Sequence, residues 1–309
     1  MNYDIIIAGS GAAGMSAAIY SGRSGMKTLV LEKLSPGGQI MNTYEIDNYP
    51  GFPDNPSGAE IAALMERHAK KYPNVEFSSE NVKEITDGGG FKTVKTRRNA
   101  YTAKAVIYAE GAVPKKLGVS GEAELTGAGV SYCAVCDGAF FKGLDAAVIG
   151  GGNTAFEDAL YLSRLCRRVY IINRSQRYRA AGILIEQAKN TPSIEFIPDT
   201  TAEEFCGSGR LESIRIKNAV TGEMSVLNVS GAVIAAGVVP NSHAAVKCGV
   251  AADENGFIET DKNLSTNIKG IFAAGDVRTT PLRQVITAAA DGAVAASAAI
   301  NYIRQGGNI

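Results

Sequence analysis

One local pattern occurs twice in this chain: a short apolar run breaks at a glycine-rich turn, continues as a helix and ends in a second apolar run. Together with a helical C-terminal segment, the repetition predicts an α/β fold of two Rossmann-like domains, the second inserted into the first. The first copy opens the chain. Asp4-Ile5-Ile6-Ile7-Ala8 stops at Gly9-Ser10-Gly11-Ala12-Ala13-Gly14, small and apolar residues follow at helical spacing to about Ser24, and Thr28-Leu29-Val30-Leu31-Glu32 supplies the next strand. In the second copy, Ala146-Ala147-Val148-Ile149 leads into Gly150-Gly151-Gly152-Asn153-Thr154-Ala155. A helix is predicted to about Arg164, and Arg168-Val169-Tyr170-Ile171-Ile172 is the following strand.

Each copy also has a later apolar strand that ends in glycine, Ala105–Gly111 in one and Ala232–Gly237 in the other, and each runs on into a proline, Pro114 or Pro240. Proline cannot continue a central strand, so both turns mark crossings between domains. After the second crossing come Gly270-Ile271-Phe272-Ala273-Ala274-Gly275-Asp276 and an Ala-rich helical segment from about Gln284. This last part most economically rejoins the first domain. The expected division is 1–113 with 242–309 for the first domain and 114–241 for the insert.

Composition limits the partners. The 309 residues are 45% hydrophobic and 20% charged, enough to bury a large core, and 31 basic residues balance 31 acidic ones. No overall field favours nucleic acid or an anionic membrane, and neither is expected as a partner. No run of eighteen apolar residues occurs, and the chain enters a strand at Asp4 without the regions of a secretory signal. A cytoplasmic location is expected. Five cysteines, an odd and sparse number, suit a reducing compartment, with Cys166, Cys206 and Cys248 read as buried small apolar residues.

The chemistry lies in three motifs. Gly9-X-Gly11-X-X-Gly14 lets a strand turn tightly, brings backbone against a pyrophosphate and packs the helix close. Glu32 ends the next strand eighteen residues after Gly14, where a carboxylate accepts hydrogen bonds from the ribose of an adenosine. In Gly150-X-Gly152-X-X-Ala155 the same count from Ala155 reaches Asn173, followed by Arg174, with Arg177 and Arg179 close behind. Loss of the ribose carboxylate and gain of arginine is what a 2′-phosphate requires, which points to NADP; a solvated basic loop is the bland alternative.

The third motif is Cys133-Ala134-Val135-Cys136, the sole close cysteine pair. Thiols at this spacing can form a small disulfide ring and lower each other's pKa. A structural zinc needs about four ligands, and His68 and His243 lie far away in sequence, so no metal is expected. Asp137 directly follows and is placed to handle the proton of disulfide exchange, although Asp-Gly is also a good turn.

These residues together resemble the low-molecular-weight thioredoxin reductases, class II of the pyridine nucleotide-disulfide oxidoreductases, over essentially the whole chain. Cys133-Ala-Val-Cys136-Asp137-Gly138 resembles that family's active-site sequence, in which Thr usually stands where this chain has Val135. Further matching signatures are Gly37-Gly38-Gln39, Asn48-Tyr49-Pro50-Gly51-Phe52, Gly275-Asp276-Val277 and Arg283-Gln284-Val285. The resemblance implies a homodimeric flavoprotein that passes electrons from NADPH through FAD and the Cys133/Cys136 dithiol to thioredoxin. It places FAD against Gly9, Ser10, Gly11, Ala13, Gly14, Glu32, Gly38, Gln39, Asn48, Val82, Gly111, Gly275, Asp276, Arg283, Gln284 and Val285. NADPH falls to Gly150, Gly152, Asn153, Thr154, Ala155, Arg174, Arg177 and Arg179.

By the same resemblance Cys136 lies nearest the flavin, Cys133 attacks the partner and Asp137 is the acid. Two departures bear on this expectation. The usual His-Arg-Arg is Asn173-Arg174-Ser175 here, and the usual Ala-Thr-Gly is Ala109-Glu110-Gly111. The rival expectations are electrons from NADH or ferredoxin, a dithiol oxidase, and a flavoprotein redox sensor that uses the cysteine pair as a switch.

Overall fold

Strands buried on both faces read as unbroken apolar runs, and both glycine-turn units are built on such strands. The computed structural model describes residues 2–33, 35–43, 46, 48–54 and 56–306. By internal contacts the chain divides into two compact units, 1–113 with 239–309, and 114–238.

In chain order the first unit begins with β1 (Asn2–Ala8), α1 (Ala12–Arg23), β2 (Thr28–Leu31), α2 (Gly58–Lys70), β3 (Val75–Ser78), β4 (Glu84–Asp87), β5 (Lys92–Lys95), β6 (Ala100–Tyr108) and β7 (Ala112–Pro114). The second unit supplies α3 (Glu122–Leu125), β8 (Val130–Ser131), α4 (Ala134–Asp137), β9 (Asp145–Ile149), α5 (Asn153–Leu162), β10 (Arg168–Ile172), α6 (Gly182–Lys189) and β11 (Ile194–Ile197). It continues with β12 (Thr200–Cys206), β13 (Ser213–Asn218), β14 (Met224–Asn228) and β15 (Gly231–Ile234). Then β16 (Val238–Pro240), α7 (His243–Lys247), β17 (Ile271–Ala273) and α8 (Val285–Arg304) complete the chain.

The first sheet has the order β3-β2-β1-β6-β5-β4. Along β6, residues 100–103 pair antiparallel with β5, and residues 106–108 pair parallel with β17. Residues of β1 alternate between two cores: Ile5 and Ile7 join α1 and α8, whereas Ile6 and Ala8 point to the opposite face with Val106 and Ile271. The period-2 geometry of a strand places successive side chains on opposite faces, so an all-apolar β1 serves both.

Small residues make the α1–α8 contact close. A Cβ added at Gly292 would lie 2.0 Å from the carbonyl oxygen of Ala13. By length and composition α8 is apolar enough to cross a membrane; here Gly292, Ala295, Ala296 and Ala299 are buried, the alanines in the core with α1.

The second unit has a five-stranded sheet, β11-β10-β9-β15-β8, whose neighbours all pair in parallel. Its β9 repeats the logic of β1, with Ala146 and Val148 in one core and Ala147 and Ile149 in the other. The antiparallel meander β12-β13-β14 contributes Phe205, Ile214 and Ile216 to the second of these cores. At the crossings, β7 pairs with β16.

Candidate active site

In the first unit the chain leaves β1 through Gly9, whose φ of +97° lies in the left-handed region that favours glycine. A Cβ there would meet the carbonyl of Ala109 at 2.4 Å, and one at Gly14 would meet the carbonyl of Gly9 at 2.0 Å. Both glycines are therefore demanded by close backbone approach. The turn opens a cleft walled by the ends of β1 and β2, by the turn after β6 and by the N-terminus of α8.

Most of the residues expected from the sequence meet in that cleft: Gly9, Ser10, Gly11, Ala13, Glu32, Gly38, Gln39, Gly111, Gly275, Asp276, Gln284 and Val285. The Glu32 carboxylate accepts hydrogen bonds from the Ser10 backbone N–H at 3.0 Å and from its hydroxyl at 2.8 Å. Four expected residues do not line it. Gly14 packs beneath the turn, Val82 is buried in the apolar face that holds Ile6, and Asn48 donates from Nδ2 to Oε1 of Gln284 at 3.1 Å. Arg283 lies over the Phe257 ring at 4.2 Å, and its Nε is buried without a hydrogen-bond partner among the described residues.

The cleft also contains half-buried acids. Burial pushes Asp276 up to about 6, with Arg283 pulling it down and Asp291 adding to the rise. Asp291 itself accepts from Nε and Nη2 of Arg278 and from the Gly275 N–H, which fixes the turn beside Asp276. Glu110 is raised to about 7, by burial first, against the pull of Lys33 and with the push of Glu32. Asn241, which the sequence did not single out, also lines the cleft: it donates to the Glu110 carbonyl from Nδ2 and accepts the Tyr108 hydroxyl proton at its own carbonyl.

In the second unit, Gly152 caps α5 at its N-terminus, Asn153 and Thr154 are exposed, and Ala155 is fully buried beneath the turn. The segment after β10 folds back over this turn: the Arg179 N–H donates to the Gly151 carbonyl at 2.7 Å, and the Ala181 N–H to Oδ1 of Asn153 at 2.8 Å. Arg174, Arg177 and Arg179 are exposed, and among the described residues none of them is in an ion pair. A phosphate would find several free donors there. Asn173 is only 8% exposed.

Cys133 and Cys136 are joined as a disulfide with their Cα atoms 5.3 Å apart. Cys133 caps the short α4, and its Sγ accepts the Cys136 N–H at 3.2 Å. Ser131, at the end of β8, went unnoticed in the sequence. Its hydroxyl donates to Asp137 at 2.5 Å and accepts the Cys133 N–H at 3.0 Å, so it ties the acid to the cysteine. Burial raises the Asp137 pKa, with the Ser131 hydrogen bond opposing. Neighbouring Tyr132 donates to Glu122 at 2.6 Å, and Glu122 also accepts from the N–H groups of Leu117 and Gly118. The remaining cysteines are free: Cys166 is buried as expected, which pushes its thiol up to about 11, whereas Cys206 and Cys248 are only half-buried. Among the described residues no group of three or more His, Cys, Asp or Glu side chains is arranged to hold a metal ion.

A glycine-turn unit with a cleft at the turn, and a second glycine-turn unit carrying a Cys-X-X-Cys disulfide, define a nucleotide-cofactor oxidoreductase acting through a dithiol. The chain belongs to the pyridine nucleotide-disulphide oxidoreductase family, whose model matches residues 3–292, and such enzymes use a flavin and a pyridine nucleotide. It is 44% identical over 304 residues to the thioredoxin reductase of Listeria innocua, which covers 98% of this chain and 94% of the relative. The Bacillus subtilis thioredoxin reductase is 43% identical over 304 residues, 98% of this chain and 95% of that one. The crystal structure of thioredoxin reductase from Streptococcus pyogenes superposes with a TM-score of 0.92 at 40% identity, covering 98% of this chain and 99% of the other.

Proposed function

We propose that this enzyme is a thioredoxin-disulfide reductase that moves electrons from NADPH through FAD and the Cys133/Cys136 dithiol to thioredoxin. The observation that carries the reading is the Cys133–Cys136 disulfide, tied through Ser131 to the half-buried Asp137 and seated in the unit that also holds the arginine-flanked glycine turn. Residues 1–113 and 242–309 form the FAD domain in this reading, and 114–241 the nucleotide domain. FAD would be held by the glycine turn, by Glu32 at the ribose, and by Gly38, Gln39, Asp276, Gln284 and Val285 along the cleft. The buried and unpartnered Nε of Arg283 is a donor in want of an acceptor, which supports an anionic or carbonyl-bearing group there. When bound, the flavin supplies the two-electron exchange between nicotinamide and disulfide.

The chain's own residues supply the thiol chemistry. In the reduced pair, the Cys136 N–H that points at Cys133 Sγ favours the thiolate there, which suits Cys133 as nucleophile. Its sulfur attacks the partner disulfide and displaces one partner thiolate; Cys136 sulfur then attacks the mixed disulfide and displaces the other. The pair ends oxidised and the partner leaves as a dithiol. Asp137, whose burial favours the neutral acid, delivers a proton to a departing thiolate. A homodimer in the cytoplasm, where Cys166, Cys206 and Cys248 stay reduced, completes the reading.

Anaerobic titration of the yellow holoprotein with NADPH, NADH and reduced ferredoxin tests it. NADPH is expected to bleach the flavin and to support multiple turnovers with thioredoxin, and Cys133→Ser and Cys136→Ser each to abolish thioredoxin reduction while leaving bleaching intact. Bleaching by ferredoxin alone, or oxygen consumption with dithiol substrates in place of thioredoxin reduction, would overturn it.

A further inference from the structure

The two glycine-turn units differ at two positions that face each other. In the first, the residue after the opening glycine is Ser10, and its N–H and hydroxyl both donate to Glu32 at the end of the next strand. In the second, the matching positions are Gly151 and Asn173, and the polarity is reversed. Nδ2 of Asn173 donates to the carbonyl of Ser175 at 2.5 Å and to that of Arg177 at 3.3 Å. Its Oδ1 sits against Gly151, where an added Cβ would lie 2.4 Å from it. Only glycine at 151 leaves room for Asn173, and only a donor at 173 satisfies two carbonyl acceptors. The Ser175 hydroxyl also donates to the Arg177 carbonyl, at 3.1 Å, so the loop's inner acceptors are satisfied from beneath.

We propose that Asn173 is a positioning residue for nucleotide choice: it braces the Arg174–Arg179 loop over the glycine turn, and the braced loop presents its guanidinium groups to the 2′-phosphate of the nucleotide. Asn173 touches the loop and leaves recognition to the arginines. Its buried amide is committed to the loop's carbonyls, and the exposed guanidinium groups stand on the outer side. An unbraced loop would hold the same charges in many orientations, and a charge-assisted hydrogen bond to phosphate depends on orientation. The inference rests on the NADPH reading above.

Calorimetric binding of adenosine 2′,5′-bisphosphate and of 5′-AMP to the oxidised holoenzyme tests it without reference to turnover. The wild type is expected to favour the bisphosphate by at least about tenfold, the discrimination one well-placed arginine gives. Asn173→Ala is expected to lower that ratio by about tenfold while 5′-AMP binding stays within about twofold. Arg174→Ala added to Asn173→Ala should then change the ratio little, because the arginine is already misplaced. Asn173→Leu keeps about the same size with neither a donor nor a charge, and should lose the ratio as well. A wild-type ratio retained in both Asn173 variants, or equal loss of both ligands, would overturn the brace. A wild type that does not distinguish the two ligands would instead overturn the NADPH reading itself, before any substitution is made.

Discussion

Glu110 shows how one side chain is decided by its surroundings. It follows β6 on the wall of the first-unit cleft, and burial raises it from 4.5 to about 7, against Lys33 and with Glu32. A folded value above the unfolded one means that the folded protein holds the proton longer. The stability present below the unfolded value is therefore lost as pH rises from about 4.5 to about 7, with a loss of roughly 3 kcal/mol at most. Glu110→Gln removes the ionisation. It is expected to raise stability by about 1–3 kcal/mol at pH 8 and by much less at pH 5, as read by thermal unfolding. An equal effect at the two pH values would show that the carboxyl does not titrate as its burial requires. The sequence marked Glu110 as a departure near a cofactor-facing turn, yet its proton affinity depends on Glu32, Lys33 and Lys83, which the fold alone brings near. Ser131 was missed for a similar reason: a serine two residues before a cysteine carries no signal until β8 ends and α4 begins beneath it.

At the scale of elements, α8 gives the clearest test of packing. A glycine inside an exposed helix normally gains about 1 kcal/mol on change to alanine. Gly292 is buried, and a Cβ there would lie 2.0 Å from the Ala13 carbonyl oxygen and 3.0 Å from the Ala17 nitrogen. Gly292→Ala is therefore expected to destabilise by about 1–3 kcal/mol, opposite in sign to helix propensity, as measured by chemical or thermal denaturation. A stabilised variant would mean that α1 and α8 are packed less closely. The sequence located this helix well: its predicted start near Gln284 is the N-cap, and Val285 is its first residue. The meander of β12, β13 and β14 was not foreseen. Residues of β13 alternate between buried and exposed, but β14 is almost wholly exposed and carries little apolar signal, so pairing with its neighbours settles it.

For the whole molecule, the division of labour between units is the point with mechanistic weight. The cleft at the first glycine turn lies in one unit, while the arginine-flanked turn and the disulfide both lie in the other. If the nicotinamide and the dithiol both exchange electrons with one flavin, alternation between them is expected, with the crossings near Val113–Leu117 and Val239–His243 as its expected hinges. A cross-link that fixes the units in one orientation is expected to block either flavin reduction by nucleotide or reduction of thioredoxin. Full turnover by the locked enzyme would dismiss the alternation.

What the sequence determined by itself was whatever local chemistry dictates: strands apolar on both faces, glycines where backbones meet, a cysteine pair close enough to bridge, and basic residues just after the second unit's strand. Those features act over a few residues, so spacing alone reveals them. Only the tertiary structure decided which side chains are buried together. It turned Asn173 from a missing carboxylate into a donor held against Gly151, joined Asp137 to Cys133 through Ser131, and set Glu110 beside Glu32. Hydrogen bonds and proton affinities depend on distance and solvent exclusion between residues far apart in the chain, and no local pattern encodes these.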